Sequence, residues 1–204
     1  MALTLYHHPH SRSAGIRVML EELGVDYEAK LVDLQAGEQR RPEFLALNPL
    51  GKLPTLVDGD TVVTEQVAVY LHLADRFPEA GLAPAIGDPE RGSYLRWLVY
   101  YASCFEPAVV DRSLKRGPAE PSVSPYRDFD SMLGAIEAQI ERGPWVLGER
   151  FSAADVLWGT ALNWTTQFGL VPETPVIKDY IQRTQARPAF QRAKELDAAL
   201  LAAA

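Results

Sequence analysis

The strongest constraint on the fold is a change of period near residue 80. Before it, short apolar alternations exchange with helical spacing; after it, every strong pattern is helical. Residues 3–6 read as a strand. Beyond the polar, proline-containing connection 7–12, Ile16, Met19, Leu20 and Leu23 recur at helical spacing, Gly24 stands where a helix stops, and residues 27–32 read as a second strand. That makes a β-α-β unit. Residues 42–47 form a short helical segment, ended near Asn48-Pro49. Residues 55–57 and 61–63 flank an Asp58-Gly59-Asp60 turn, the pattern of a hairpin. From Glu65 onward Val67, Tyr70, Leu71 and Ala74 share a helical face that ends at Phe77-Pro78.

Residues 78–89 are rich in Pro, Gly and Ala and carry no period, which suits an interdomain connection. The expected layout is therefore an α/β domain over 1–80, a linker over 81–88 and an all-α domain over 89–204. Asp88-Pro89 reads as the start of a long helix, with Tyr94, Leu98, Tyr101, Ala102 and Phe105 on one stripe. A polar break over 117–125 precedes a helix with Phe129, Met132, Leu133, Ile136 and Ile140 on its apolar face, closed by Gly143-Pro144. Ser152 and Asp155 form a capping box at the start of the next helix. Thr174-Pro175 and Arg187-Pro188 open two more, and the tail from Ala198 is expected to fray.

Composition narrows the function classes. A formal charge of -7 argues against a surface that clamps nucleic acid or anionic lipid. The single cysteine, Cys104, can form neither an internal disulfide nor a paired-thiol motif, which fits a reducing cytoplasm. No run of about 18 apolar residues is present to span a membrane, and the first twenty residues do not read as a secretory signal. His7, His8 and His10 are interrupted by Pro9 and have no carboxylate or thiol nearby in sequence, so no metal site is expected.

Three signals in the first half converge on one kind of ligand. Ser11-Arg12-Ser13 lies at the strand-to-helix turn, where unpaired N–H groups and the helix dipole favour negative charge, although a serine there also serves as an ordinary cap. Pro54 begins a strand in Asn48-Pro49-Leu50-Gly51-Lys52-Leu53-Pro54. A trans proline on an edge strand is the commoner arrangement; a cis peptide would turn the Leu53 backbone outward to pair with an extended ligand. Thr64-Glu65-Gln66 opens the helix after the hairpin, with Thr64 as cap, and can receive the amino and carboxylate ends of an amino-acid-like group.

The segments SRSAGIRVMLEELGVDYE, NPLGKLPTL and VVTEQVAVYLHLADRFP resemble, in order, a glutathione transferase N-terminal domain, and FSAADVLWG resembles that family's C-terminal capping motif. The resemblance is to bacterial enzymes of the serine-type or beta-like groups. It implies a thioredoxin-like first domain, a helical second domain, and a cytoplasmic homodimer that binds glutathione and a small electrophilic substrate. Leu53 would pair with the cysteinyl part of glutathione with Pro54 cis, Glu65 and Gln66 would hold the γ-glutamyl end, and Lys52 would lie near a carboxylate. Gln66 departs from the usual serine or glycine.

Ser11 is the first choice for the hydroxyl that faces the thiolate and Ser13 the second. Tyr6 reads as packing. His10, Tyr100, Cys104 and Trp164 are candidates for the second-substrate site. The expected activity is conjugation of glutathione to an apolar electrophile, a detoxification chemistry. The alternatives are a noncatalytic binding or assembly module of the same fold, or a glutathione-dependent peroxidase, isomerase or dehalogenase.

Overall fold

The computed structural model describes residues 3–117 and 119–203. Strand β1 (Leu3–His7) is followed by α1 (Ser13–Leu23) and β2 (Tyr27–Leu31), which returns parallel to β1 with Leu3 opposite Tyr27 and His7 opposite Leu31. Gly24 closes α1 in the left-handed conformation, at φ 65°, where a side chain would cost energy. A short α2 (Pro42–Leu45) precedes β3 (Thr55–Asp58), β4 (Thr61–Thr64) and α3 (Gln66–Arg76). The described residues hold a four-stranded sheet in the order β2-β1-β3-β4, mixed in direction.

Alternation along β1 buries Leu3, Leu5 and His7 on one face and leaves Thr4 and Tyr6 half-buried on the other. Ile16, Met19 and Leu20 of α1 and Val69, Tyr70 and Leu73 of α3 join the buried core. Tyr6 packs edge-on against Phe44, with ring centroids 5.6 Å apart, so its role in the fold is packing on the face away from His7.

In the second unit, α4 (Arg91–Tyr100) passes into a π-helical turn, Tyr101–Phe105, and then α5 (Glu106–Ser113). The uninterrupted stripe expected here is corrected at Ala102, which is exposed. Residues bonded i to i+5 rotate less per step, so the phase of the stripe slips while Tyr101 and Phe105 stay buried. They remain inside because Trp158 lies edge-on against both rings, at 5.6 and 5.0 Å. The helix begins later than Asp88-Pro89 suggests, since Asp88 instead forms a turn that accepts the Glu90 N–H at 2.9 Å.

Helix α6 (Phe129–Ile140) is capped by Asp128, which accepts the Ser131 N–H at 2.7 Å. The break before it lies partly outside the described residues, at position 118. The capping box opens α7 (Ala153–Gln167), and Thr174 caps α8 (Pro175–Gln185).

Helix α9 (Pro188–Ala202) belongs with the first unit. Arg187 grips Glu22 of α1 through two bonds of 2.6 and 2.7 Å, and Arg192 meets Glu21 at 2.8 Å. The units are thus the residues up to Ala80 with those from Arg187 onward, and Gly81–Ala186. The expected second domain ran to residue 204, because periodicity reveals a helix but not what it packs against. Residues 81–88 also belong to the second unit, where the Leu82 carbonyl accepts the Ala153 N–H at 2.8 Å. The helix continues through Ala202 where fraying is expected from Ala198; position 204 lies outside the described residues.

Candidate active site

Sheet register decides which loops meet. Tyr6 stands opposite Thr55 and Thr55 opposite Thr64, so the chain leaving β1, the chain arriving at β3 and the chain leaving β4 open at the same end of the sheet. Residues 8–12, 52–54 and 65–66 are therefore neighbours, as the three sequence signals require.

The loop after β1 is held by its own hydroxyls. Ser11 Oγ donates to the His8 carbonyl at 2.8 Å and accepts the Ser13 N–H at 3.2 Å, so Ser11 serves as a cap for the start of α1. Ser11 is half-buried, whereas Ser13 is fully buried. Ser13 Oγ accepts the His8 N–H at 3.1 Å and lies 2.8 Å from His7 Nδ1 and 2.7 Å from Ser11 Oγ. Both hydroxyls have several protein partners, and Ser11 is the more exposed of the two residues. Burial, with His10 and His7 close by, holds the neighbouring His8 below the usual imidazole range. His10 is exposed.

The Leu53-Pro54 peptide is cis. Its loop is braced by buried Asn48, whose amide donates to the Lys52 carbonyl at 2.9 Å, and by Thr55, which donates to the same carbonyl at 3.1 Å. Gly51 lies at φ 60°, and a Cβ there would stand 2.7 Å from the Gln39 carbonyl oxygen. The Lys52 side chain is exposed and Leu53 half-buried.

Glu65 rather than Thr64 is the N-cap of α3, and it is strained, at φ 64° and ψ 118°. Its side chain is exposed. Gln66 spends its amide on the chain itself, donating from Nε2 to the Arg12 carbonyl at 3.2 Å. The residue that departs from the family pattern thus ties the start of α3 to the Ser11 loop.

Of the candidate second-substrate residues, His10 belongs to the first unit and Tyr100, Cys104 and Trp164 to the second. Tyr100 donates its hydroxyl to the Met132 carbonyl at 3.0 Å, and Cys104 lies 3.4 Å from the Pro125 carbonyl. Trp164, 41% exposed, meets Phe168 at 4.8 Å, and among the described residues no ring contact joins it to Tyr100.

A family model for the glutathione S-transferase N-terminal domain matches residues 1–75, and one for its C-terminal domain matches residues 126–183. The chain belongs to the glutathione S-transferase family. It is 34% identical over 168 residues to Glutathione S-transferase F10 of Arabidopsis thaliana, covering 76% of this chain and 77% of that one. It is 30% identical over 205 residues, 94% of each chain, to the Disulfide-bond oxidoreductase YfcG of Escherichia coli. A glutathione transferase homologue from sulfitobacter, solved with bound glutathione, superposes with a TM-score of 0.77 at 30% identity over 95% of this chain and 97% of that one. The mixed sheet with its helices and the helical second unit are the thioredoxin-like and all-α parts of the glutathione S-transferase fold.

Sequence reasoning did not find that His7 and Asp197 stand behind Ser13. Asp197 of α9 lies 2.9 Å from His7 Nε2 and 2.6 Å from the Arg17 guanidinium. The one available signal was the polar residue at a buried position of β1.

Proposed function

We propose that the chain binds glutathione where the three loops of its first unit meet and stabilises its thiolate with Ser11, for attack on an electrophilic carbon of a small apolar substrate. The observation that carries this reading is the half-buried Ser11 at the start of α1, its Oγ accepting the Ser13 N–H, in a loop joined to α3 by the bond from Gln66 to the Arg12 carbonyl. The Leu53 backbone is assigned to the cysteinyl part of the tripeptide. Glu65 and the start of α3 suit its γ-glutamyl end, and the exposed Lys52 suits a carboxylate. His10, exposed in the loop before α1, is assigned to the second substrate; Tyr100 and Cys104 are engaged by backbone carbonyls. Family membership supports a homodimer.

Magnitudes support thiolate stabilisation. Lowering a thiol from about 8.5 by about two units takes about 2.7 kcal/mol. A helix N-terminus supplies about 0.3–2 kcal/mol and a hydrogen bond to a charged group about 1.5–3 kcal/mol. The likeness to a disulfide-bond oxidoreductase favours one second reading, in which the same thiolate attacks the sulfur of a disulfide.

The test is a calorimetric titration with glutathione beside an ultraviolet difference spectrum for thiolate. Binding with a thiolate signal is expected, followed by turnover of an aryl halide; turnover of a mixed disulfide instead selects the second reading. Binding without thiolate points to a carrier. Absence of binding at about 1 mM glutathione overturns the proposal.

A further inference from the structure

The contacts behind Ser11 form an unbroken line into the first unit. Ser11 Oγ is 2.7 Å from Ser13 Oγ, Ser13 Oγ is 2.8 Å from His7 Nδ1, and His7 Nε2 is 2.9 Å from Asp197 Oδ1. The His7 ring is completely buried and the Asp197 side chain 16% exposed. Arg17 approaches the same Asp197 oxygen at 2.6 Å, so the carboxylate oxygen is shared between the guanidinium and the imidazole. An ionised carboxylate can only accept, which fixes the His7 proton on Nε2 and turns the Nδ1 lone pair toward Ser13. The His8 carbonyl is an alternative acceptor for both hydroxyls, at 2.8 Å from Ser11 and 3.2 Å from Ser13.

We propose that Ser11, Ser13, His7 and Asp197 are a proton relay that takes the thiol proton of glutathione into the protein. The inference rests on the proposed function above, in which the thiol lies against Ser11. Before transfer each hydrogen points inward: thiol to Ser11, Ser11 to Ser13, and Ser13 to His7 Nδ1. In the step, the S–H bond breaks and an O–H bond forms on Ser11. The former Ser11 proton passes to Ser13, and the former Ser13 proton forms an N–H bond at His7 Nδ1. The products are a thiolate that accepts the Ser11 hydrogen and an imidazolium held against Asp197. Charge balances, with one negative charge formed on sulfur and one positive charge on His7. Every bond in the line then points outward and polarises the next toward the sulfur. Ser13 and Asp197 are positioning residues, and His7 is the terminal proton acceptor. The charged or titratable groups next to this line are Arg17 on α1, which shares Asp197, and His8, which in turn faces His10 and Asp33.

Proton counting separates this relay from a hydroxyl that merely donates to the thiolate. Glutathione is titrated into the full chain near neutral pH in two buffers of different ionisation enthalpy, which gives the protons released, while the ultraviolet difference spectrum gives the thiolate formed. S-methylglutathione, which has no thiol proton, subtracts protons exchanged by other groups. The relay keeps the proton on the chain, so release should fall short of thiolate by about one proton per site. Release equal to thiolate in the wild-type protein overturns the relay while leaving the proposed function standing; no binding of glutathione overturns both.

Asp197→Asn supplies a second readout, because it removes the charge that stabilises the imidazolium. The apparent pKa of the bound thiol should rise by about one unit, equivalent to about a tenfold lower thiolate ratio, with S-methylglutathione affinity unchanged. A purely structural Asp197 would lower Tm and weaken both ligands together without moving the thiol pKa, and that result overturns the relay.

Discussion

In the second unit, Asp155 accepts from the Val146 N–H and the Tyr180 hydroxyl through Oδ1, at 2.7 and 2.9 Å, and from the Ser152 N–H and hydroxyl through Oδ2, at 2.9 and 3.1 Å. In the first unit, Asp197 accepts from His7 and Arg17, and the line of contacts continues through Ser13 to the half-buried Ser11. Both networks join a carboxylate to serines beside the start of a helix. They differ in where they end. Asp155 and Ser152 are completely buried and their donors and acceptors face one another, so nothing beyond the protein can join. The first network reaches Ser11, which is half-buried. The same residue types therefore brace a helix start where the network closes on itself, and are proposed to serve chemistry where one end is only half-buried.

Breaking the closed network should produce the largest effect. Asp155→Asn places an amide donor among four donors, so the unfolding free energy should fall by about 3–5 kcal/mol, read from chemical denaturation. Its pH dependence sharpens the contrast, since burial pushes the Asp155 carboxyl up to about 6 despite its hydrogen bonds. An unfolded aspartate titrates near ~3.9, so between about 4 and 6 the folded chain holds a proton that the unfolded chain has released. The Asp155 contribution to stability should therefore fall as pH rises through that window, by about 3 kcal/mol, and stay level outside it. A wild-type advantage over Asp155→Asn that is flat between those pH values would show that the carboxyl is not raised.

These two networks also show what a sequence exposes. Ser152 and Asp155 stand three positions apart, and the box is readable because the interaction is local. Strand alternation, helical spacing and the Asp58-Gly59-Asp60 turn carried the sheet and most helices for the same reason. His7 and Asp197 are separated by 190 positions, and no local period marks the meeting of β1 with α9. The π-helical turn at Tyr101–Phe105 was equally hidden, because it accompanies the packing of Trp158 against rings from another helix. Gln66 was legible as a helix-start residue, but its bond to the Arg12 carbonyl depends on two loops brought together by sheet register.

A smaller effect should distinguish the two serines at the accessible end. Ser11→Ala removes the proposed hydrogen bond to the thiolate and should lower kcat/KM about 10–100-fold, with S-methylglutathione affinity nearly unchanged and unfolding free energy lower by about 1 kcal/mol from the lost contact with the Ser13 N–H. Ser13→Ala leaves the His8 N–H and the buried His7 Nδ1 without their hydroxyl, so it should lower unfolding free energy by about 1–3 kcal/mol as well as activity. A greater loss of activity from Ser13→Ala than from Ser11→Ala would transfer the thiolate contact to Ser13.

The smallest effect tests whether the accessible site stores strain that the closed network does not. Ser152 caps α7 with ordinary extended geometry, at φ -148° and ψ 174°, whereas Glu65 caps α3 at φ 64° and ψ 118°. A residue with a Cβ held in that region costs about 1–3 kcal/mol, and glycine avoids most of it. Glu65→Gly should therefore raise the unfolding free energy by about 1 kcal/mol, after the greater backbone entropy of glycine in the unfolded chain is set against the relief. The same change removes the carboxylate assigned to the γ-glutamyl end, so glutathione affinity should fall while stability rises. Opposite signs in the two measurements identify Glu65 as a residue whose backbone cost is retained for binding. A loss of stability would mean that surrounding contacts favour the Glu65 conformation enough to offset its strain, and the contrast between the two helix starts would then rest on accessibility alone.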